Sequence, residues 1–271
     1  MSCDGGRSDD MKRLTKKRLE RLYEQYDNRC CVHPDPVEFL YRFKKKDREV
    51  VGFIASALAY GRVQQILRSV ADVLARLESP RDTIASADLK ELEKLLAGFK
   101  HRFTTGNELA RLFHGMGRLI HAYGSLGGCM SHHHSPDHTT ILEAATAFVD
   151  ELSDASGGKL PFLLASPRDG SACKRLNLYL RWMVRKDSVD PGGWSDIPRS
   201  ALVIPLDTHM HRIGLTFGLT TRASGDMKTA LEMTAGFRKL CPEDPVRYDF
   251  ALTRAGILKN WNGPTDEGST Q

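Results

Sequence analysis

Apolar residues recur at helical spacing along most of this chain, and almost nowhere do they alternate as a half-buried strand requires. Leu19, Leu22, Tyr23 and Tyr26 predict an amphipathic helix within residues 11–27, with Lys12, Arg13, Lys16, Lys17 and Arg18 on its wet face. The prolines of H-P-D-P at 33–36 break it, because each pushes the residue before it out of the helical region. Residues 50–59 are apolar almost all round, which predicts a buried helix. Gly52, Ala55, Ser56 and Ala59 let a second helix approach it closely. Val63, Ile66, Leu67, Val70, Leu74 and Leu77 mark the next helix, and Tyr60, Arg62, Gln64 and Gln65 fill the junction between the two with polar groups. Helical periodicity continues over 83–122, over 139–152 and through Leu176, Tyr179, Leu180 and Met183. The run A-L-V-I-P-L at 201–206 reads as a buried extended segment. Helices follow from Asp207, over Asp226–Lys239, and from Pro245 through Phe250 and Leu252 to Leu258. The stretch G-S-L-G-G-C-M-S-H-H-H-S-P-D-H at 124–138 reads as a loop. The fold class is therefore all-α: one domain over residues 11–261, with a flexible N-terminus (1–10) and a flexible tail (262–271).

Composition narrows the class. The 271 residues can bury a sizeable core. No apolar run is long enough to span a bilayer and no signal peptide is visible, so a soluble, cytoplasmic protein with no membrane partner is expected. Six cysteines at 3, 30, 31, 129, 173 and 241 form no C-x-x-C pair and suit reduced thiols. No cofactor is expected, iron–sulfur or otherwise. The histidines of 132–134, consecutive in a Gly/Ser loop, lack the spacing of a preformed metal site; no functional metal is expected, and any zinc held there should wash out without loss of fold.

Charge points to chemistry. The formal net charge is +5, and the surplus is concentrated. Arg168, Lys174, Arg175, Arg181, Arg185 and Lys186 face one acid, Asp169, over 19 residues. Such a run suits a polyanion, or simply a solvated helix face. At 100° per residue, Arg181 and Arg185 fall about 20° to either side of Lys174. Lys174 opens the basic helix, where the positive end of the helix dipole disfavours a second positive charge, and a neutral amine is what nucleophilic catalysis needs. Asp207 opens a later helix; an aspartate there is a favoured N-cap whether or not it has another duty. A lysine and a carboxylate at two helix entrances suit imine chemistry on a sugar. Gln65 has the groups to read a base edge or a phosphate. Phosphate-loop, dinucleotide, nucleophile-elbow and zinc-protease motifs are absent.

These residues carry a resemblance. I-P-L-D-T-H-M-H-R-I-G-L, from Ile204, resembles the D-T-H-x-x-R segment of the helix-hairpin-helix DNA glycosylase superfamily, which includes endonuclease III and the 8-oxoguanine glycosylases. S-P-R-D-G-S-A-C-K-R lies where that superfamily places its hairpin and catalytic lysine. F-I-A-S-A-L-A-Y-G-R-V-Q-Q-I resembles its early helix pair, and D-P-V-R-Y-D-F-A-L-T-R-A-G its late helix. Over the whole chain, the sequence also resembles a family of bacterial proteins known as DUF2400. Departures are visible: the hairpin L-P-G-V-G-x-K is missing, Lys174 stands four residues after Gly170, and 33 positions separate Lys174 from Asp207. The superfamily's usual gap is about half as long, although an archaeal 8-oxoguanine branch has a comparable one. The resemblance implies a two-lobed fold with a degenerate hairpin, acting as a nucleoid-associated monomer on duplex DNA with a damaged base, such as an oxidised purine, or an abasic site. Lys174 would be the Schiff-base nucleophile of a glycosylase and lyase, and Asp207 its electrostatic partner. Tyr60, Gln65, Trp182, His209 and Phe250 would contact the flipped base. Arg62, Arg168, Gly170, Arg175, Arg181 and Arg185 would hold DNA. Two alternatives remain open: a binding module that kept the fold without the chemistry, and an unrelated helical protein whose Asp207 is only a cap.

Overall fold

The computed structural model describes residues 14–257; the two termini expected to be flexible lie outside them, as do Cys3 and Leu258. The described chain is all-α, with twelve α-helices and one two-stranded ladder. No helix among the described residues is long and apolar enough to cross a membrane.

The centre is α2 (Arg48–Ala57), buried along eight successive residues from Val50 to Ala57. Its small residues have the expected purpose. Tyr179 and Met183 of α9 (Lys174–Val184) close over Gly52, and the 3₁₀ turn Pro36–Tyr41 packs on the other side. Around this pair stand α3 (Val63–Ala75), α4 (Pro80–Ser86) and α5 (Leu89–Leu95). The long α6 (Gly106–Tyr123) packs against α4, α5, α7 (Leu126–His133) and α8 (Leu142–Ala155). The first described helix, α1 (Lys16–Tyr26), meets the last, α12 (Asp249–Ile257), which also contacts α10 (Thr208–Thr216); α11 is Met227–Leu240. One connected apolar core runs from Leu19 to Leu252. Residues 201–206 are buried; Ala201 ends a 3₁₀ turn, and 202–206 lie outside any helix or ladder.

Three expectations change. Residues 126–133 are helix α7, not loop. Ser125 caps it by accepting from the Gly128 N–H, and Glu49 accepts from the N–H groups of Leu126 and Gly127. The glycines that read as loop are packing devices: a Cβ on Gly127 would sit 2.4 Å from Nε1 of Trp194, which donates to Glu49. Second, Lys100–His101 and Thr104–Thr105 pair as a small antiparallel hairpin. Third, the last helix begins at Asp249, with Val246 and Tyr248 buried ahead of it.

No compact hairpin joins α8 to α9. Between Ala155 and Lys174 the chain makes a 3₁₀ turn, Pro167–Asp169, capped by Ser166 and closed by Gly170 in the left-handed region at φ +76°. Gly170 spends its N–H on Pro167 within that turn, and its carbonyl accepts from Met227. Its amide is therefore not free to hold a phosphate.

Candidate functional site

A cleft of about 220 Å³ opens where the C-terminal end of α2 meets the entrance of α9. Ser56, Ala57 and Tyr60 line one wall, Leu163 and Leu164 a second, and Cys173, Lys174 and Arg175 the third. Cys173 adopts φ +46°, a left-handed conformation uncommon for a side chain of this kind, and so turns the chain into α9 with Lys174 at its first position. Its buried thiol points to the carbonyl of Ala165 at 3.5 Å. Burial pushes that thiol up to about 11, so at neutral pH it is protonated and no nucleophile.

Lys174 and Asp207, 33 positions apart in sequence, meet. Nζ of Lys174 lies 3.4 Å from Oδ2 of Asp207, and both side chains are half-buried. Asp207 caps α10: its Oδ1 accepts from the N–H of Met210 at 2.8 Å. One oxygen holds the helix and the other faces the amine. Lys174 is thus the link between the capped carboxylate and the cleft it lines.

Arg175 also faces the cleft. Its guanidinium donates to the carbonyl of Ala57 and lies 4.9 Å from the Tyr60 ring centroid. Among the described residues no carboxylate forms an ion pair with it, and burial pulls its pKa below the usual arginine value. A half-buried cation held by a carbonyl and a ring keeps donors for an acceptor-rich guest. The hydroxyl of Tyr60 is occupied, at 2.8 Å from the His101 carbonyl and 2.7 Å from Oγ1 of Thr104, so Tyr60 offers its ring only.

The remaining expected site residues separate. Gln65 and Arg62 are exposed at the start of α3, and His209 is exposed on the first turn of α10, 3.5 Å from Arg212; none of the three lines the cleft. Arg168 is exposed and ion-paired to Asp150 at 2.6 Å.

Four residues are corrected outright. Trp182 is buried in the core and cannot receive a base, and Phe250 is buried beneath Arg181 and Arg254. Arg181 and Arg185 are 2% and 3% exposed and cannot reach phosphate. Arg181 binds Asp190 at 3.1 Å and Asp249; Arg185 binds Asp187 at 2.8 Å, Asp244 at 2.9 Å and Asp190. Arg181 lies on α9 and Arg185 is the extended residue that ends it. Both are covered by carboxylates from the turn after α9, from Asp244 and from the first residue of α12.

Two aromatic residues near the cleft were not anticipated. Phe103, at the tip of the small hairpin, and Phe162, next to the cleft-lining Leu163, are 62% and 53% exposed and stack with centroids 5.5 Å apart. Arg102, at φ +52°, lays its guanidinium against Gly61, beside Arg62. Phe103 was readable as a lone apolar residue inside the polar turn H-R-F-T-T; Phe162, inside L-P-F-L-L, was not.

These features define an all-α protein in which a lysine that lines a small cleft pairs with a helix-capping aspartate. Residues 35–258 match the family described as "Protein of unknown function (DUF2400)", and the chain belongs to that family. No curated protein and no solved structure matches the chain.

Proposed function

We propose that this protein is a DNA base-excision glycosylase with lyase activity, acting on duplex DNA that contains a damaged base or an abasic site. The observation that carries the reading is the 3.4 Å approach of Lys174 to Asp207 beside the cleft. The resemblance of the D-T-H-x-x-R segment and of the early helix pair supports it from the sequence side.

The chemistry follows from the placement. A nucleotide flipped out of the duplex puts its base in the cleft, whose volume suits a single ring system better than an extended ligand, for which pockets of roughly 300–1,000 Å³ are usual. The base meets the Tyr60 ring and the free donors of Arg175. Lys174 Nζ then attacks the sugar C1′ as the N-glycosidic bond breaks, and the bonding pair leaves with the base, which is protonated from water. Asp207 opposes the positive charge that grows on the sugar ring and steers the lysine proton away. Loss of a second proton and opening of the ring leave an imine between Lys174 and C1′. Abstraction of a C2′ proton then expels the 3′ phosphate by β-elimination.

Borohydride reduction tests this directly. Wild type should form a stable protein–DNA adduct with an abasic or damaged duplex, and Lys174→Gln should bind the same duplex and form none. Trapping by Lys174→Gln at the wild-type level places the nucleophile elsewhere. Binding without any trapping by wild type makes the protein a binding module.

A further inference from the structure

Away from the cleft, α7 and α8 bring three donors of different softness to one point. Cys129 and His133 stand four residues apart on α7, so they share a helix face, and Glu151 of α8 faces them. Sγ of Cys129 lies 3.7 Å from Oε2 of Glu151, and Nε2 of His133 lies 2.8 Å from Oε1. All three ligand atoms fall within 4.8 Å of one another. Tyr123, at the end of α6, donates its hydroxyl to the same Oε1 at 2.9 Å.

We propose that Cys129, His133 and Glu151 form a binding site for one divalent cation of the zinc class. Bond lengths of about 2.0–2.3 Å at tetrahedral angles set ligand atoms roughly 3.3–3.6 Å apart. The sulfur–carboxylate distance is already near that range, and the histidine–carboxylate distance needs to open by about half an ångström, as expected when a hydrogen bond gives way to two metal bonds. A thiolate, an imidazole and a carboxylate together suit zinc better than magnesium or calcium, which take oxygen. Cys129 is fully buried while the side chains of His133 and Glu151 are 22% and 35% exposed, so the ion has an approach from the solvent side and a fourth position left to water. On binding, the Cys129 S–H bond gives its proton to buffer and its electron pair to the metal. Tyr123 keeps its hydrogen bond and acts as a positioning residue for Glu151. The site shares no residue with the cleft.

This departs from the reading of residues 124–138 as a loop whose histidines hold metal only incidentally. The helix is what changes the reading: it sets Cys129 and His133 on one face and leaves His132, the residue before His133, exposed.

The test loads metal-free full-length protein with zinc and, separately, with cobalt(II). Zinc should bind at one equivalent, and cobalt should give intense tetrahedral visible bands with a thiolate-to-metal charge-transfer band in the near ultraviolet. Cys129→Ser should lose that charge-transfer band, and His133→Gln and Glu151→Gln should each weaken zinc binding tenfold or more, with helical circular dichroism retained. Because Cys129 is buried, the wild-type cobalt spectrum serves as the readout that needs no variant. Absence of the charge-transfer band, or zinc affinity that survives His133→Gln but is lost on replacing His132, His134 and His138, overturns the proposal in favour of surface histidines.

Discussion

Asp207 divides its two oxygens between two tasks, and substitutions can separate them. Oδ1 caps α10 through Met210, and Oδ2 faces Lys174. Asn keeps an oxygen for the cap and removes the charge; Ala removes both. Asp207→Ala should therefore cost about 1 kcal/mol of unfolding free energy, while Asp207→Asn should stay within about 0.5 kcal/mol of wild type. In single-turnover cleavage of an abasic duplex, both should fall by orders of magnitude, because the developing sugar cation loses its counter-charge. Wild-type cleavage by the Asn variant would reduce Asp207 to a cap. Both roles rest on a residue the sequence displays plainly: an aspartate ahead of T-H-M-H-R. Sequence spacing alone could not show that the chain folds so that Lys174 comes within reach of it.

At the scale of an element, α9 shows what a periodic pattern reveals and what it conceals. The wheel groups Lys174 with Arg181 and Arg185, but a helical wheel does not say what covers a face, and Arg185 already lies past the end of the helix. Here four carboxylates cover the two arginines: Asp187 and Asp190 from the turn that follows, Asp244 and Asp249 from far along the chain. Lys174 differs from them in standing 35% exposed at the cleft rather than sealed in the core. Removing one partner of a buried pair leaves the others uncompensated, so Arg181→Ala should lose about 3–5 kcal/mol of stability in denaturant unfolding without altering the salt dependence of DNA binding. Two guanidinium groups also cannot neutralise four carboxylates. Burial, against the pull of Arg181, pushes the Asp249 carboxyl up to about 6, and Asp190 shifts the same way. A folded-state value above the unfolded one, about 3.9, means that the native protein holds an extra proton between the two. That contribution to stability is fully present below about pH 4 and is lost as pH rises through about 6. Asp187 runs the other way: despite its burial, Arg185 and the N–H groups of Asp190 and Val189 hold it below the usual carboxylate range. Its contribution is lost on further acidification. The contribution of Asp249 and Asp190 should thus rise as pH falls from 7 to 5, by at most about 1.4 kcal/mol per pH unit for each proton taken up. It is opposed over the same interval by His101 and His134, which burial holds below the usual imidazole range. The Asp187 contribution should decline below about 4. Asp249→Asn should remove its share of that slope between 7 and 5 relative to wild type; an unchanged slope would show that Asp249 is not the group that titrates.

Over the whole molecule, the fold class and most helix positions were legible, because apolar periodicity is local and buried helices are long. Contacts made by tertiary approach were not. Gly127 of α7 reads as loop, since its reason for being there is Trp194, more than sixty residues away. Arg181 and Arg185 read as a DNA surface for the same kind of reason. Their burial takes them out of any nucleic-acid surface; under the proposed function, DNA is expected to meet the exposed Arg62, Arg102, Phe103 and Phe162, which lie next in sequence or in contact to residues near the cleft. The two arginines and the two aromatics do different work in duplex binding. A guanidinium on a phosphate releases counterions, so each contact contributes roughly 0.9 to the slope of log affinity against log salt. Arg62→Ala with Arg102→Ala should lower that slope by about 1–2 and weaken binding to damaged and undamaged duplexes alike. A stacked aromatic pair standing in solvent gains by entering the gap that a flipped nucleotide leaves, as apolar wedges do between base steps. Phe103→Ala and Phe162→Ala should therefore leave the salt slope and the fold unchanged, and weaken binding to a damaged or abasic duplex tenfold or more, relative to undamaged DNA. Fluorescence anisotropy with matched duplexes over a salt series measures both quantities. Equal losses on both duplexes would make the pair a general contact, and no loss on either would remove the pair from the DNA-binding surface.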